Sequence, residues 1–397
     1  MPEYAFETIT AEQALAVRSG DTVTFHGGPA RSVSVGYQGY DPLALNLTPE
    51  PPRIFVTYEG LTIAFSTDLA LLSKAGGLVM ADGSRLYVGD VSDERVTTGA
   101  GDDGLYGGPG GDTLDGEAGG DLLQGNGGND LLAGGEGADS IYGGRGDDVI
   151  RGSRDVDGVA GEAGDWVNGN LGDDEIIGGA GNDTLLGGHD DDFIAGSNGA
   201  DFLSGDLGDD ELIGGMGDDT VNGGAGDDNL SGGFGADSLS GGDGNDLLVS
   251  QGPEAATLSG GAGNDTLVSG GAGRDLLFGG EGRDRFEIVA KTAPSAGVEA
   301  EIRDWESGDT LHFAAVSALN ADSILPRSYS EFVATDYATA RSIADEHISA
   351  TGAIYVAAQV GDDVYVFADT GDPADGADVS ILLVGRTLAD IGLPNFA

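Results

Sequence analysis

The sequence predicts an all-β-dominated protein, a parallel β-roll with a small β-rich N-terminal domain and a C-terminal capping domain. Two observations predict this. A nine-residue unit, G-G-x-G-x-D-x-U-x with U a large aliphatic residue, recurs from about Thr98 to Glu287. Position eight of that unit stays aliphatic in copy after copy, as a buried stack requires. The domains expected are 1–97, 98–287 and 288–397.

The clearest copies are Gly178-Gly-Ala-Gly-Asn-Asp183-Thr-Leu185-Leu and Gly223-Gly-Ala-Gly-Asp-Asp228-Asn-Leu230-Ser. Units run in unbroken frame from Thr98 to Ala160, a short unit spans Gly161 to Asn168, and the frame resumes from Gly169 to Val249. Irregular copies finish the array: Ser250–Ser259, Gly260–Ser269, Gly270–Phe278 and Gly279–Glu287. Each unit divides into a loop, G-G-x-G-x-D, and a short strand, x-U-x. The glycines admit positive φ and let backbone carbonyls approach an ion. Strand alternation sends position eight to one side and positions seven and nine to the other. Position eight reads Leu105, Leu114, Leu123, Leu132, Ile141 and Ile150, then Ile176, Leu185, Ile194, Leu203, Leu212, Val221, Leu230, Leu239 and Leu248. Two units close a coil, and successive coils lie about 4.8 Å apart.

That spacing stacks the position-six aspartates into ladders, Asp103, Asp121 and Asp139 on one edge and Asp112, Asp130 and Asp148 on the other. The series continues as Asp174, Asp183, Asp192, Asp201, Asp210, Asp219, Asp228, Asp237, Asp246, Asp265, Asp275 and Asp284. Carboxylates this close repel, and a cation between rungs removes the repulsion. Hard oxygen ligands, carboxylate plus carbonyl, suit calcium better than magnesium, which demands tight octahedral geometry. Multiple Ca2+ ions are therefore the expected cofactor. On these repeats the sequence resembles the RTX (repeats-in-toxin) family, whose repeats form a calcium-loaded β-roll. The calcium sites touching the irregular units are the weakest of the array. Gly187-Gly-His189-Asp190 has Asp where the fourth glycine belongs, and Gly152 to Asp157 loses its loop glycines. Gly161 to Asp165 is one residue short, and Ser250 to Ser259 is one residue long, with Pro253 inside.

Ahead of the array, Thr10-Ala-Glu-Gln13 reads as a capping box opening a helix, Ala11–Val17, that stops near Gly20. Strand-like runs follow at Thr22–Phe25, Ser32–Tyr37, Arg53–Tyr58, Leu61–Phe65, Leu78–Met80 and Leu86–Val88. This domain is expected to cap the first coil, because a bare sheet edge aggregates. After the array, Glu301 to Leu311 looks like the strand–turn–strand that follows RTX arrays. A helix over Tyr337–Ile348 and strands at Ala353–Gln359, Val364–Ala368 and Val379–Val384 complete an RTX-type cap. The stretch Ile381 to Phe396 is similar to the family's C-terminal end, where the resemblance places the export signal. Asp369 to Asp378 reads either as one further calcium loop or as an acidic turn.

Charge bounds the partners. The whole chain carries 17 basic and 69 acidic residues, a formal net charge of −52. The repeat block holds 40 acids against 6 bases, so −34 of that charge sits there. Such a block should not fold without cation, and metal binding and folding are expected to be coupled. Nucleic acid and anionic membrane are poor partners for this surface, and neither is expected. There are no cysteines, and no apolar run is long enough for a transmembrane helix, so no membrane insertion is expected. Met1 to Glu7 lacks the basic region and apolar core of a secretory signal peptide, which alone points to the cytoplasm. Millimolar-range calcium sites make sense only outside the cell. The resemblance reconciles the two, since RTX proteins leave unfolded through a type I secretion exporter. The expected location is extracellular or at the cell surface.

No catalytic machinery is legible. The histidines are His26, His189, His312 and His347, and neither H-E-x-x-H nor G-x-S-x-G occurs. His189 reads as a solvated loop residue or a ligand. Outward positions carry Leu131, Val149, Trp166, Leu186 and Phe202 on one face if the short unit counts as half a coil, and Leu122, Tyr142, Ile177, Phe193 and Ile213 on the other. Later units turn polar, with Thr220, Asn222, Asn229, Ser231, Ser238 and Ser240. The apolar run is either a contact patch or a surface covered by the terminal domains. The expected role is a structural calcium-binding protein of the cell surface or extracellular matrix (surface layer, filament or biofilm) that folds and self-assembles on calcium. A calcium-stiffened adhesin for surface polysaccharide is the alternative, and a secreted enzyme with a site in residues 1–97 comes third.

Overall fold

The computed structural model describes residues 3–17, 22–25, 30–38, 53–58, 61–66, 68–74, 78–80, 82, 84–153, 163–271, 273–289, 298–306, 308–314, 329–351, 355–368 and 379–391. The chain divides into two compact units, Met1–Asn198 and Gly199–Ala397. The acidic segment Asp369–Asp378 lies outside the described residues, as do residues 154–162 and 392–397.

In the first unit, Thr10 caps the helix Ala11–Leu15 as its sequence predicts. The Thr10 hydroxyl accepts the Gln13 N–H at 3.2 Å and the Gln13 side chain accepts the Thr10 N–H at 2.9 Å. Strands Glu3–Ala5, Thr22–Phe25 and Leu78–Met80 form a parallel sheet, and Ser34–Gln38, Arg53–Tyr58 and Leu61–Ser66 an antiparallel meander. Phe6 stacks on Phe25 at 4.7 Å, with Tyr58 edge-on to both rings. Tyr106, the ninth residue of the first repeat unit, enters this core and donates its hydroxyl to the Val33 carbonyl oxygen. Leu122 packs on the same cluster, so the terminal fold covers the outward face of the earliest repeats. A helix at Asp68–Lys74, which the sequence pattern does not announce, packs on Leu86–Val88.

The roll starts upstream of the first clear repeat. Leu86–Val88 pairs parallel with Gly104–Pro109, and Arg95–Ala100 with Thr113–Ala118. Thereafter two parallel sheets grow by eighteen residues a coil, as the pairs Leu105↔Leu123 and Leu114↔Leu132 show. The position-eight residues Leu105, Leu114, Leu123, Leu132, Ile141, Ile150, Ile176, Leu185 and Ile194 are all fully buried. Each such side chain contributes about 1.5–3 kcal/mol of transfer free energy. Beyond Ile150 the step changes, because Ile141 pairs with Val167 and Ile150 with Ile176, twenty-six residues on. The degenerate and short units together therefore make one half-coil, not two. That corrects the expected faces. Leu122, Tyr142, Trp166 and Leu186 share one sheet, and Leu131, Val149, Ile177 and Phe193 the other.

The second unit is likewise a two-sheet stack, with Leu203, Leu212, Val221, Leu230, Leu239 and Leu248 buried. Phe202 and Ile213 lie on strands of different sheets, Phe202–Leu207 and Glu211–Met216. The ten-residue irregular copies lengthen the step to nineteen, as in Leu239↔Leu258 and Leu267↔Phe286. Ala300–Ile302 and Thr310–Ala314 add one further parallel strand to each sheet. Val379–Leu383 then pairs with Ala300–Ile302 and is followed antiparallel by Asp363–Ala368 and Tyr355–Val360. The helix Tyr337–Thr351 buries Ala340, Ala344 and Ile348 against Val356 and Phe367. This sheet continuation covers an edge that would otherwise template pairing with another chain. Among the described residues no helix is long and apolar enough to cross a membrane.

Candidate metal centre

Each position-six aspartate uses its two oxygens differently. In the first unit, Oδ1 of Asp121 accepts the Asp103 N–H, Oδ1 of Asp139 the Asp121 N–H and Oδ1 of Asp130 the Asp112 N–H, each at 2.7 Å. The series crosses the twenty-six-residue step intact, with Asp139 N–H to Asp165 at 2.9 Å and Asp148 N–H to Asp174 at 2.7 Å. Asp165 and Asp174 in turn donate to Asp183 and Asp192 at 2.8 Å. In the second unit the pairs are Asp201 to Asp219, Asp219 to Asp237, Asp210 to Asp228, Asp228 to Asp246, Asp246 to Asp265 and Asp265 to Asp284, at 2.9–3.0 Å.

The other oxygen carries the chemistry. Oδ2 of Asp103, Asp112, Asp121, Asp130, Asp148 and Asp174 is buried and meets no donor, as are those of Asp219, Asp228, Asp246, Asp265 and Asp284. They pack against bare glycine, with a carbonyl oxygen close by. A Cβ built on Gly125 would lie 2.0 Å from Asp130 Oδ2 and 2.7 Å from the Gly143 carbonyl oxygen. The bare glycine thus leaves a space on which a carboxylate and a carbonyl of the next coil converge. Buried acceptors that meet no donor are costly unless a cation satisfies them. Burial is the main force on these carboxyls, and neighbouring carboxylates add to it. They hold Asp112, Asp121 and Asp174 up to about 7 and Asp148 up to about 8. In the second unit Asp219 and Asp228 are pushed to about 7 and Asp265 to about 6 by the same causes. Among the described residues no three His, Cys, Asp or Glu side chains gather tightly enough to hold a metal by themselves. Backbone carbonyls must complete any shell, and oxygen-only sites of this kind suit calcium. The donor set fits the ion.

Several residues depart from the expected set. Asp165 is a buried rung that the short unit hid from the frame. Asp275, expected as a ligand, has its Oδ2 already held by the Ser250 and Ser269 hydroxyls at 2.7 and 2.6 Å. Ala256 occupies the corresponding rung before it and offers no carboxylate, which leaves that edge interrupted. Asp309, also outside the expected set, ends the other edge by accepting the Asp284 and Glu306 N–H groups at 3.1 and 2.6 Å. His189 is exposed at its loop.

The first rung is built from other parts. Glu94 donates its N–H to Asp112 Oδ1 at 2.7 Å, so it stands where an aspartate stands elsewhere. Its buried carboxylate takes the Lys74 ammonium at 2.6 Å, and the same ammonium reaches Asp90 at 2.9 Å. Burial pulls the Lys74 pKa down, but bonds to Glu94 and Asp90 outweigh it and the group is held above its usual value. Extending the nine-residue frame back to Gly89 would have found Glu94, whereas nothing in the repeat announces Lys74.

Fold and site together define a calcium-binding parallel β-roll, stacked on aliphatic rungs and lined at its turns by buried oxygen. The repeat array belongs to the RTX calcium-binding nonapeptide repeat family, whose model matches residues 88–123, 124–159, 159–194, 186–221, 195–230, 213–248 and 253–286. Repeats of this family bind calcium, and the chain holds many copies. No curated protein matches the chain. Among solved structures, the AlgE6R3 subunit of the Azotobacter vinelandii mannuronan C5-epimerase is 27% identical, over 46% of this chain and 80% of its own, with a TM-score of 0.26. The AlgE6R2 subunit of the same enzyme is 24% identical, over 45% and 91%, with a TM-score of 0.23. The extracellular lipase LipA of Serratia marcescens is 17% identical, over 66% and 40%, with a TM-score of 0.21.

Proposed function

We propose that this protein is a non-catalytic extracellular scaffold whose position-six aspartates hold a file of calcium ions. Calcium acts as its folding switch. One observation carries the reading: the rows of buried Oδ2 atoms that meet no donor and lie near carbonyl oxygens of the next coil. Where calcium is scarce, carboxylate repulsion opposes the fold, and the chain is suited to leave the cell unfolded through a type I exporter. Outside, millimolar calcium closes the rungs. Self-association through the outward faces then builds a surface layer, filament or matrix. Leu131, 43% exposed, and Phe202, 41% exposed, support that step, because large apolar side chains left in water mark contact surfaces.

The test is sedimentation of the purified chain as calcium is titrated from chelator to several millimolar, with far-UV circular dichroism on the same samples. The reading expects β-signal and large polymers to rise together. A chain that folds on calcium yet stays monomeric would sink the assembly and leave the switch standing, whereas a chain already folded in chelator would sink the switch.

A further inference from the structure

The outer face of the first unit carries a cleft that calcium binding does not explain. It has a volume of about 360 Å³ and is lined by Gln124, Asn126, Tyr142, Arg145, Asn170 and Leu171 over a floor of Gly143 and Gly144. Three adjacent strands build it, Leu122–Gly127, Ser140–Arg145 and Trp166–Leu171. Its shape follows from the second position of the loop. Asn126, Gly144 and Asn170 hold that position on successive coils, with φ of 78°, 125° and 81°. Most repeats keep glycine there, the residue that tolerates the left-handed region best. Two asparagines with a bare glycine between them leave a gap walled by amides. The Asn126 side chain is steadied by the Gln124 carbonyl at 3.1 Å, and Asn170 by the Asn168 carbonyl at 3.0 Å.

The remaining walls are aromatic and cationic. Tyr142 lies 4.8 Å from Trp166, centroid to centroid, tilted by 49°, and both rings are half-buried. Asn168, paired across from Tyr142, has a buried side-chain oxygen without a hydrogen-bond partner. Arg145 is exposed, and among the described residues it forms no ion pair, although the chain carries a net charge of −52.

We propose that this cleft binds a neutral pyranoside segment of a polysaccharide. Aromatic rings take the C–H face of a sugar ring, and amides offer paired donors and acceptors to vicinal hydroxyls. The Arg145 fork adds donors without requiring an anion. Competing ligands fit less well. A nucleic acid meets an acidic surface. A peptide seeking a free strand edge finds these strands hydrogen-bonded on both sides. A uronate chain would place repeated carboxylates near acidic loops, within a screening length of about 8 Å. The cleft depends on the folded roll and not on self-assembly, so a monomer that binds sugar would overturn the scaffold and leave this site intact.

The test uses the full calcium-loaded chain and its own reporter. Trp166 packs on Tyr142 of the cleft wall, while the second tryptophan, Trp305, is fully buried and contributes a constant background. Emission is followed on titration with cellohexaose, mannohexaose and galactohexaose, and with hexaguluronate as the acidic contrast. At least one neutral hexaose should give a saturable change, with the acidic one weaker. Asn126→Gly and Asn170→Gly should each weaken binding by about fivefold, the loss of one hydrogen bond. Both place the repeat's usual residue on the backbone, so dichroism and the calcium midpoint should not move. Tyr142→Ala should cost about tenfold or more. No response to any neutral hexaose overturns the proposal, as does tighter binding of hexaguluronate. Glycine variants that bind as well as the parent overturn it too.

Discussion

The first rung and the repeating rungs solve one problem with different cations. At Glu94 a buried carboxylate is met by the Lys74 ammonium, supplied by a helix from outside the repeats. At Asp112, Asp130 and Asp148 the equivalent oxygen meets no donor and lies near a carbonyl of the next coil, a pairing that an ion from solution would satisfy. A tethered ammonium is always present, and a soluble ion is present only where its concentration allows. On the proposed reading, the start of the roll forms before calcium arrives and the rest waits for it. A preformed first coil also supplies the costly nucleus on which later coils add by parallel pairing.

That contrast sets an order of effects. The largest is calcium removal. In chelator, hydrogen exchange should lose protection across Leu122 to Val289, while Leu86–Val88 and the Phe6 core keep theirs. Uniform loss, or uniform retention, would erase the distinction. Next is Asp130→Asn, which should raise the calcium midpoint of folding about tenfold and lower the bound-ion count in equilibrium dialysis. Lys74→Met should act on stability where calcium does not reach. It leaves the buried Glu94 carboxylate to the Ser92 hydroxyl and the Asp90 N–H alone and should cost the first unit about 1 kcal/mol, discounted for a lysine that is partly exposed. Thermal melts at saturating calcium read this directly.

Proton dependence separates the two kinds of rung more finely. Without metal, the folded pKa of Asp121 stands near 7 and that of Asp148 near 8, well above the usual carboxylate value of 3.8. A raised carboxyl favours the fold while protonated, and that stabilisation is lost as pH climbs from about 4 through the folded pKa. In chelator, β-signal should grow as pH falls from about 8 to about 5. Lys74 is raised from 10.5, so its contribution is complete across that window and the first rung should not respond. The smallest effect belongs to Asp275→Asn. With Ser250 and Ser269 already on its Oδ2, the bound-calcium count should be unchanged.

Much of this was legible because the repeat writes its own geometry. Leu105 to Leu248 announce the buried stack by position alone, and the aspartates two places before them announce the ladder. The pattern failed where position stopped meaning place. Between Gly152 and Asn168 nine-residue counting assumed that every unit closes half a coil, and so it missed Asp165 and Val167 and exchanged the faces of Trp166 and Ile177. Asp275 carries the right residue at the right spacing, but its saturation comes from two serines that no ligand motif includes. Lys74 lies outside the repeat and reaches its rung only through tertiary packing. Gly144 shows the same limit at the cleft, since its meaning depends on which asparagines flank it in space.

The twenty-six-residue step has a consequence for how such a chain can change. On either side of it both sheets stay in register, with Ile141 on Val167 and Ile150 on Ile176, and the aspartate bonds to Asp165 and Asp174 keep their length. Coils are counted by hydrogen bonds and not by residues, so the ladder crosses a step of twenty-six as it crosses one of eighteen. Chain length between rungs and register within the stack are thus separate variables, and a repeat protein of this build can change the first while it keeps the second.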